Sequence, residues 1–136
     1  MMMRTLIASL LGLLTVLVVP VGQTGAADFD GSKPFLCAMT TVMECDGSGQ
    51  CERQVAETVG APTFVRIDVG GRMVTAGTAR KTALKASERL EGRLILHGGE
   101  NGRGWSATID ENTGQLSAAV VANDHTFSLF GACTIP

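Results

Sequence analysis

Four cysteines constrain the fold of this chain more than any other feature. They are Cys37, Cys45, Cys51 and Cys133, and four cysteines allow three disulfide pairings. Cys45 and Cys51 flank a turn-rich stretch that can bring its ends together, so we expect them to pair. A bond between Cys37 and Cys133 would then join the first strand of the domain to the last, and closing so long a loop could contribute about 4 kcal/mol. A zinc site is the alternative, but it usually requires Cys-x-x-Cys pairs, which this spacing does not provide.

The N-terminus has the three-part layout of a secretory signal peptide. A basic head containing Arg4 precedes an apolar run over residues 6–19, and small residues follow. The run is shorter than the ~20 residues that cross a bilayer as a helix, which argues against an uncleaved anchor. We expect residues 1–27 to be removed by cleavage between Ala27 and Asp28, with cleavage one residue earlier as the alternative.

Cleavage would leave residues 28–136, which is the length of one ordinary domain. The signal carries one basic and no acidic residue, so the net charge of −2 becomes −3 in the mature domain. Nucleic-acid binding needs clustered lysine and arginine, and a mildly acidic domain without a basic stripe does not provide them. We therefore expect a single exported domain with no nucleic-acid partner and no membrane association after cleavage.

Alternating apolar and polar residues run through most of the domain and predict β-strands. The first predicted strand, 35–45, has one face made of Phe35, Cys37, Met39, Thr41 and Met43. The last, 125–134, contains Gly131, where we expect a neighbouring strand to pass close. Turn signals recur about every eight to twelve residues, as in a sandwich or barrel. We predict a mostly β, disulfide-stabilised fold: an antiparallel meander of about eight strands, forming a barrel or a strongly bent sheet.

Two segments favour different structures by different criteria. Residues 52–59 could form one short helix, since Gly60 stands where a left-handed cap would be and Pro62 prevents continuation. Residues 78–91 have the composition of a helix. Their apolar and polar residues nevertheless alternate, and Glu91-Gly92 is a hairpin signal, so we predict strands there.

Six short motifs carry a family resemblance. They are Asp-Gly-Ser-Lys-Pro-Phe-Leu-Cys at 30–37, Glu-Cys at 44–45, Cys-Glu-Arg at 51–53, Glu-Asn-Gly-Arg-Gly-Trp-Ser at 100–106, Ile-Asp-Glu-Asn-Thr-Gly at 109–114 and Phe-Gly-Ala-Cys-Thr at 130–134. Together they resemble a family of small, exported, uncharacterised bacterial proteins, and the likeness covers nearly all of the mature chain. The resemblance implies a bacterial source and a periplasmic or secreted destination. It implies no catalytic residue, because that family has no assigned activity or ligand.

The two histidines, His97 and His125, each have an acid nearby, Glu100 and Asp124 respectively. Imidazole is a good ligand for zinc and copper. Two scattered histidines nevertheless fall short of the three protein ligands that a zinc site usually has. We interpret them as surface histidines at strand ends, and we expect no metal and no cofactor.

The adjacent acids Asp110 and Glu111 are candidates for general acid–base catalysis. Neighbouring side chains point apart in a strand, and Asp is common at the start of a turn, so we expect a turn instead. The glycine-rich stretch 98–104 precedes a strand rather than the helix that a phosphate site requires. It could form a mobile binding loop beside Trp105, although a tryptophan at such a position is more often part of the core.

Two further patterns have an interpretation without a ligand. Asp46, Ser48 and Gln50 alternate as in a calcium loop, but the glycine and the distant glutamate of that loop are missing. A basic cluster, interrupted by glutamates, follows residue 79, and we interpret it as a solvated strand face. Its members are Arg80, Lys81, Lys85, Arg89 and Arg93.

The sequence assembles no catalytic set, and catalytic residues stay unassigned. We expect a non-enzymatic exported binding domain whose partner is an envelope protein or a small apolar ligand. By fold analogy alone, inhibition of lysozyme is one form of such binding. An eight-stranded barrel can hold one small ligand unless its own side chains fill it. The alternatives are a small hydrolase or metal-dependent enzyme using Asp110, Glu111 or a histidine-bound metal, and a structural envelope protein.

Overall fold

The computed structural model describes residues 27–136, which form nine β-strands and the turns between them. The strands are β1 (Phe35–Asp46), β2 (Cys51–Gln54), β3 (Phe64–Asp68), β4 (Met73–Ala76), β5 (Arg80–Leu90), β6 (Arg93–Glu100), β7 (Arg103–Asp110), β8 (Gln115–Val121) and β9 (His125–Thr134). The predicted signal peptide lies almost wholly outside the described residues, so cleavage between Ala27 and Asp28 stays a prediction. Within 27–136 no helix is long and apolar enough to cross a membrane.

The strands close into an antiparallel barrel. From β3 to β9 each strand pairs with its neighbour in the chain, and β1 pairs with both β9 and β3 to complete the ring. These eight strands form the barrel, while β2 pairs with the far half of β1, beyond β3. The prediction of a mostly β meander barrel is confirmed.

A β-bulge in β1 reverses which of its side chains face inward. The register of β1 against β9 shifts between Met39 and Thr41. Because side chains alternate along a strand, one extra residue moves all the following ones to the opposite face. Val42 is accordingly buried, with 3% exposed. The prediction that five alternating residues of this strand share one face is therefore correct as far as Met39 and wrong for Thr41 and Met43.

Gly131 allows β1 and β9 to approach closely beside this bulge. It lies opposite Met39, and a Cβ at Gly131 would overlap the carbonyl oxygen of Ala38, so the predicted close approach is confirmed. Cys37 and Cys133 lie directly opposite each other nearby, with their Cα atoms 3.9 Å apart, and form a disulfide. This bond joins the first and last strands where the barrel closes.

The helix predicted over residues 52–59 does not form, and the described part of the chain contains only strands and turns. A disulfide joins Cys45 to Cys51, which lie opposite each other with Cα atoms 4.1 Å apart. This pairing turns the chain back along β1, so β2 forms where the helix was expected to begin. Gly60 does adopt the expected left-handed conformation, with a φ of +68°, but it belongs to a turn. The two disulfides indicate an oxidising compartment.

The strand prediction for residues 78–91 is confirmed by β5 and by the turn after it. Glu91 and Gly92 have φ angles of +50° and +76°, as in the two-residue type I′ turns that suit antiparallel hairpins. Asn101 and Gly102, with +51° and +74°, form a turn of the same kind between β6 and β7. These tight turns fix the register of three successive strands.

The apolar core fills one end of the barrel, which we name the closed end. Its most deeply buried side chains, each at most 2% exposed, are Phe35, Cys37, Leu94, Leu96, Ile109 and Leu116. The segment before β1 covers this end, where Phe29 is 7% exposed and its ring meets that of Phe35 edge-on at 5.7 Å. The N–H of Phe29 also donates to the carbonyl of Glu111 at 3.0 Å. The opposite, open end contains the β4–β5, β6–β7 and β8–β9 turns.

Candidate ligand-binding cavity

An apolar cavity of about 160 Å³ lies inside the barrel, between the closed-end core and the open end. All eight barrel strands contribute side chains to its wall, and most of these side chains are apolar. The exceptions that carry charge or a hydroxyl are Arg80, Thr82, Glu100 and Arg103. The wall therefore suits an apolar group, with charge concentrated in a few places.

The cavity lies where three of the barrel strands carry small inward-facing residues. Three alanines line it, one each on β4, β7 and β8, and they are Ala76, Ala107 and Ala118. Two residues nearer the closed end, the same strands carry larger inward side chains, which are Val74, Ile109 and Leu116. Protein interiors are normally close-packed. The volume stays unfilled because the alanine side chains are too small to occupy it.

Trp105 lies at the edge of the cavity toward the open end. It is directly opposite Gly98, where a Cβ would overlap the indole ring, so glycine is what allows the ring to lie across β6. The mobile loop predicted over 98–104 is wrong, because β6 continues to Glu100 and a two-residue turn follows. Trp105 is partly buried and packs against the core cluster, in keeping with the core interpretation, and it also lines the cavity.

Residues 55–63, which we name the cover loop, lie over part of the open end. The loop packs against an apolar cluster made by Val42 and two residues of β9. The N–H of Met39 donates to the carbonyl of Thr63 at 2.8 Å, and the Thr63 hydroxyl donates to the Glu57 carboxylate at 2.9 Å. Because its residues 59–62 form part of the cavity wall, the cover loop narrows the opening.

The charged residues of the wall, Arg80, Glu100 and Arg103, lie at strand ends on the open side. The Arg80 Nε is 3.6 Å from the Glu100 Oε1, with 52% and 30% of the two side chains exposed. Glu100 also lies directly opposite Arg103 in the β6–β7 pair. Such exposed pairs contribute little to stability. Their consequence is electrostatic, since they place charge at the mouth of an apolar cavity.

The two histidines lie on strands that are not neighbours. His97 is in β6, between β5 and β7, whereas His125 begins β9, between β8 and β1. The His125 Nδ1 is 2.5 Å from an Asp124 oxygen, and its Nε2 is 4.0 Å from a Glu44 oxygen. Within residues 27–136 no three His, Cys, Asp or Glu side chains are grouped to hold a metal. The structure does not bring the predicted histidine candidates together.

Asp110 and Glu111 both serve the closed end of the barrel. Asp110 accepts N–H bonds from Thr113 at 2.9 Å and Asn112 at 3.0 Å, and these bonds lower its pKa, so the turn interpretation is confirmed. Glu111 is 5% exposed and accepts bonds of 2.5 and 2.8 Å from the Arg89 guanidinium, which lower its pKa. Neither carboxylate lines the cavity.

The Asp46 carboxylate, a candidate in the calcium-like pattern, closes its own turn. One of its oxygens accepts N–H bonds from Ser48 at 2.9 Å and from Gln50 at 3.1 Å. It also accepts a bond from the Ser48 hydroxyl at 2.6 Å. The alternating residues therefore stabilise the β1–β2 hairpin.

The basic cluster lies on β5 and at the start of β6, and its side chains do not share one face, because Arg80 and Lys81 are adjacent in a strand. All five residues are exposed, as interpreted, and the side chains of Arg80 and Arg89 are 52% and 56% exposed. Arg80 nevertheless also lines the cavity, and Arg89 also binds Glu111. The Arg89–Glu111 pair was missed because its members are 22 residues apart. The two tight turns, β5–β6 and β6–β7, fix which residues of these strands lie side by side, and following that register from Arg89 leads to the end of β7 beside Glu111.

This arrangement can hold an apolar group in the cavity and one polar group at its mouth. Of the described residues, those that line the cavity include no Ser, Cys or His, and the hydroxyl and the carboxylate among them belong to Thr82 and Glu100. Comparison with known proteins found no matching family model, no similar characterised protein and no similar solved structure. The cavity itself is therefore the basis for assigning a function.

Proposed function

We propose that this chain is a non-enzymatic binding domain that holds a small apolar ligand inside its barrel. The observation that supports this function is an apolar cavity of about 160 Å³ inside the barrel, beside the buried core. An engineered apolar cavity of about 150 Å³ in another protein stays dry and binds benzene. The volume here suits a benzene-sized ring or a short alkyl chain. This cavity favours a small ligand over the envelope protein that the sequence left as the other option.

The proposed place of action is the bacterial periplasm or the exterior of the cell. The signal peptide predicted over residues 1–27 supports export, and the two disulfides fit an oxidising compartment. Small apolar compounds leave water readily for an apolar environment. A domain that encloses one of them would act there as a carrier or a sensor.

Affinity in this proposal depends on the apolar surface that a ligand removes from water. Each buried methylene contributes about 0.8 kcal/mol, so each added CH₂ should tighten binding about fourfold until the cavity is full. Linear 1-alkanols from butanol to decanol provide the series. Trp105 is the only tryptophan and lines the cavity, so its fluorescence reports binding. Isothermal titration calorimetry gives the affinity independently.

Ala118 and Ala119 offer a matched pair of variants for this titration. Ala118 lines the cavity, whereas Ala119 is its exposed neighbour on the outer face of β8. A118L fills part of the cavity and should weaken octanol binding by about tenfold or more. A119L should leave it unchanged. Non-saturable binding, an affinity independent of chain length, or equal octanol affinity in both variants would contradict the proposed function.

A further inference from the structure

The charges at the cavity mouth belong to the same inward-facing rows as the apolar wall. Arg103 is two residues from Trp105 on β7, Glu100 is two residues from Gly98 on β6, and strand side chains alternate. Arg80 likewise stands two residues before Thr82, which lines the cavity. These three charged side chains are therefore directed toward the opening, where the end of a bound chain would emerge.

The sum of these charges is positive. Glu100 balances one arginine and lies 3.6 Å from Arg80. Arg103 forms no ion pair with any other residue of 27–136, and its five N–H donors are available to a ligand. Glu44, Glu57 and Asp124 also lie toward the open end, but none of them lines the cavity.

We propose that the ligand is amphipathic, with an apolar tail in the cavity and an acidic head group that Arg103, assisted by Arg80, binds at the mouth. This inference rests on the proposed function, because it concerns the same cavity. Guanidinium groups bind carboxylates and related anions through paired, charge-assisted hydrogen bonds. The head group remains in contact with water, so an anion is bound without the cost of full burial.

Octanoate, 1-octanol and octylammonium separate the head group from the tail, because they share a chain of eight carbons. With the wild-type domain at pH 7 and low ionic strength, octanoate should bind about fivefold more tightly than octanol, the upper range for a solvent-exposed ion pair. Octylammonium should bind more weakly than octanol. Salt at 0.5 M should reduce the advantage of octanoate because it screens exposed charges.

Two variants at the mouth should move this preference in opposite directions. R103Q removes the unpaired cation and should abolish the advantage of octanoate over octanol. E100Q removes the competing anion and should increase that advantage. R66Q is the control for R103Q, because it makes the same change in net charge. Arg66 is an exposed residue of β3 that does not line the cavity.

The outcomes distinguish this inference from the proposed function. If neither octanol nor octanoate binds in saturable fashion, the proposed function itself fails. If octanol and octanoate bind equally, or octylammonium binds best, the cavity function stands and the acidic head group is wrong. If the preference for octanoate persists in R103Q or disappears equally in R66Q, Arg103 does not bind the head group.

Discussion

The two ends of the barrel are built from the same strands and the same alternation of side chains, yet their interiors are packed differently. At the closed end the inward residues are large, and Phe35 and Ile109 have no exposed surface. Toward the open end some inward rows change to alanine or glycine, and charged residues stand at the ends of β5, β6 and β7. The size of the inward side chains thus influences where the core stops and the cavity begins.

The ion pairs of the two ends also differ in how tightly they are held and how deeply they are buried. At the closed end Glu111 is almost completely buried beneath Arg89, which binds it through two hydrogen bonds. At the open end Arg80 and Glu100 are partly exposed, and the distance between the Arg80 Nε and the Glu100 Oε1 is 3.6 Å, longer than either bond of the Arg89–Glu111 pair. We infer that the closed end supplies stability and the open end supplies recognition. The predictions below test that division.

The largest difference is expected between the two disulfides. Loop-closure entropy assigns between about 4 and 5 kcal/mol to the Cys37–Cys133 bond, whose cysteines are 96 residues apart. It assigns roughly 2 kcal/mol to the Cys45–Cys51 bond, which spans 6 residues. Urea denaturation of C37A/C133A and C45A/C51A measures both losses. Equal losses would show that the barrel seam is no more important than the hairpin at the open end.

Phe29 provides the next largest effect. It covers the closed end and is 7% exposed, so F29A should lower the free energy of unfolding by about 3 kcal/mol. F64A is the control, because Phe64 is 52% exposed and its loss should change stability by less than about 0.5 kcal/mol. Chemical denaturation gives both values. Octanol affinity of folded F29A should equal that of the wild type, and a large loss of affinity would show that the two ends are coupled.

Residue alternation and glycine positions predict most of this fold, since most strands and the tight turns follow from them, although they leave open whether the sheet closes into a barrel or only bends strongly. Alternation fails where a single residue changes the register, as at the bulge after Met39, or where a covalent bond overrides local preference, as at Cys51. Alternation also identifies which residues face inward, but it cannot say whether side chains from opposite walls meet. The gap between Ala76, Ala107 and Ala118 is visible only once the barrel radius is known.

The smallest predicted effect concerns the ion pairs and depends on pH. Hydrogen bonds from Arg89 lower the pKa of Glu111 in the folded state. A carboxyl with a lowered folded pKa contributes stability above its ordinary pKa, and that contribution is lost as the pH falls through the ordinary value toward the folded one. E111Q should therefore lower the Tm by several degrees at pH 7, and this difference from the wild type should shrink as the solution becomes acidic.

E100Q is the open-end counterpart of this variant, because Glu100 pairs with Arg80 in a partly exposed position. Exposed ion pairs contribute little to stability, so its Tm should match the wild type from neutral to acidic pH. The same substitution is expected to change octanoate binding, while E111Q is not. Thermal melts across pH measure the contribution of each ion pair to the Tm, and octanoate titrations measure its effect on affinity, so the two ends can be tested separately. A Tm loss in E100Q as large as that in E111Q would mean that the open end also supports the fold, and the division between the two ends would then be wrong.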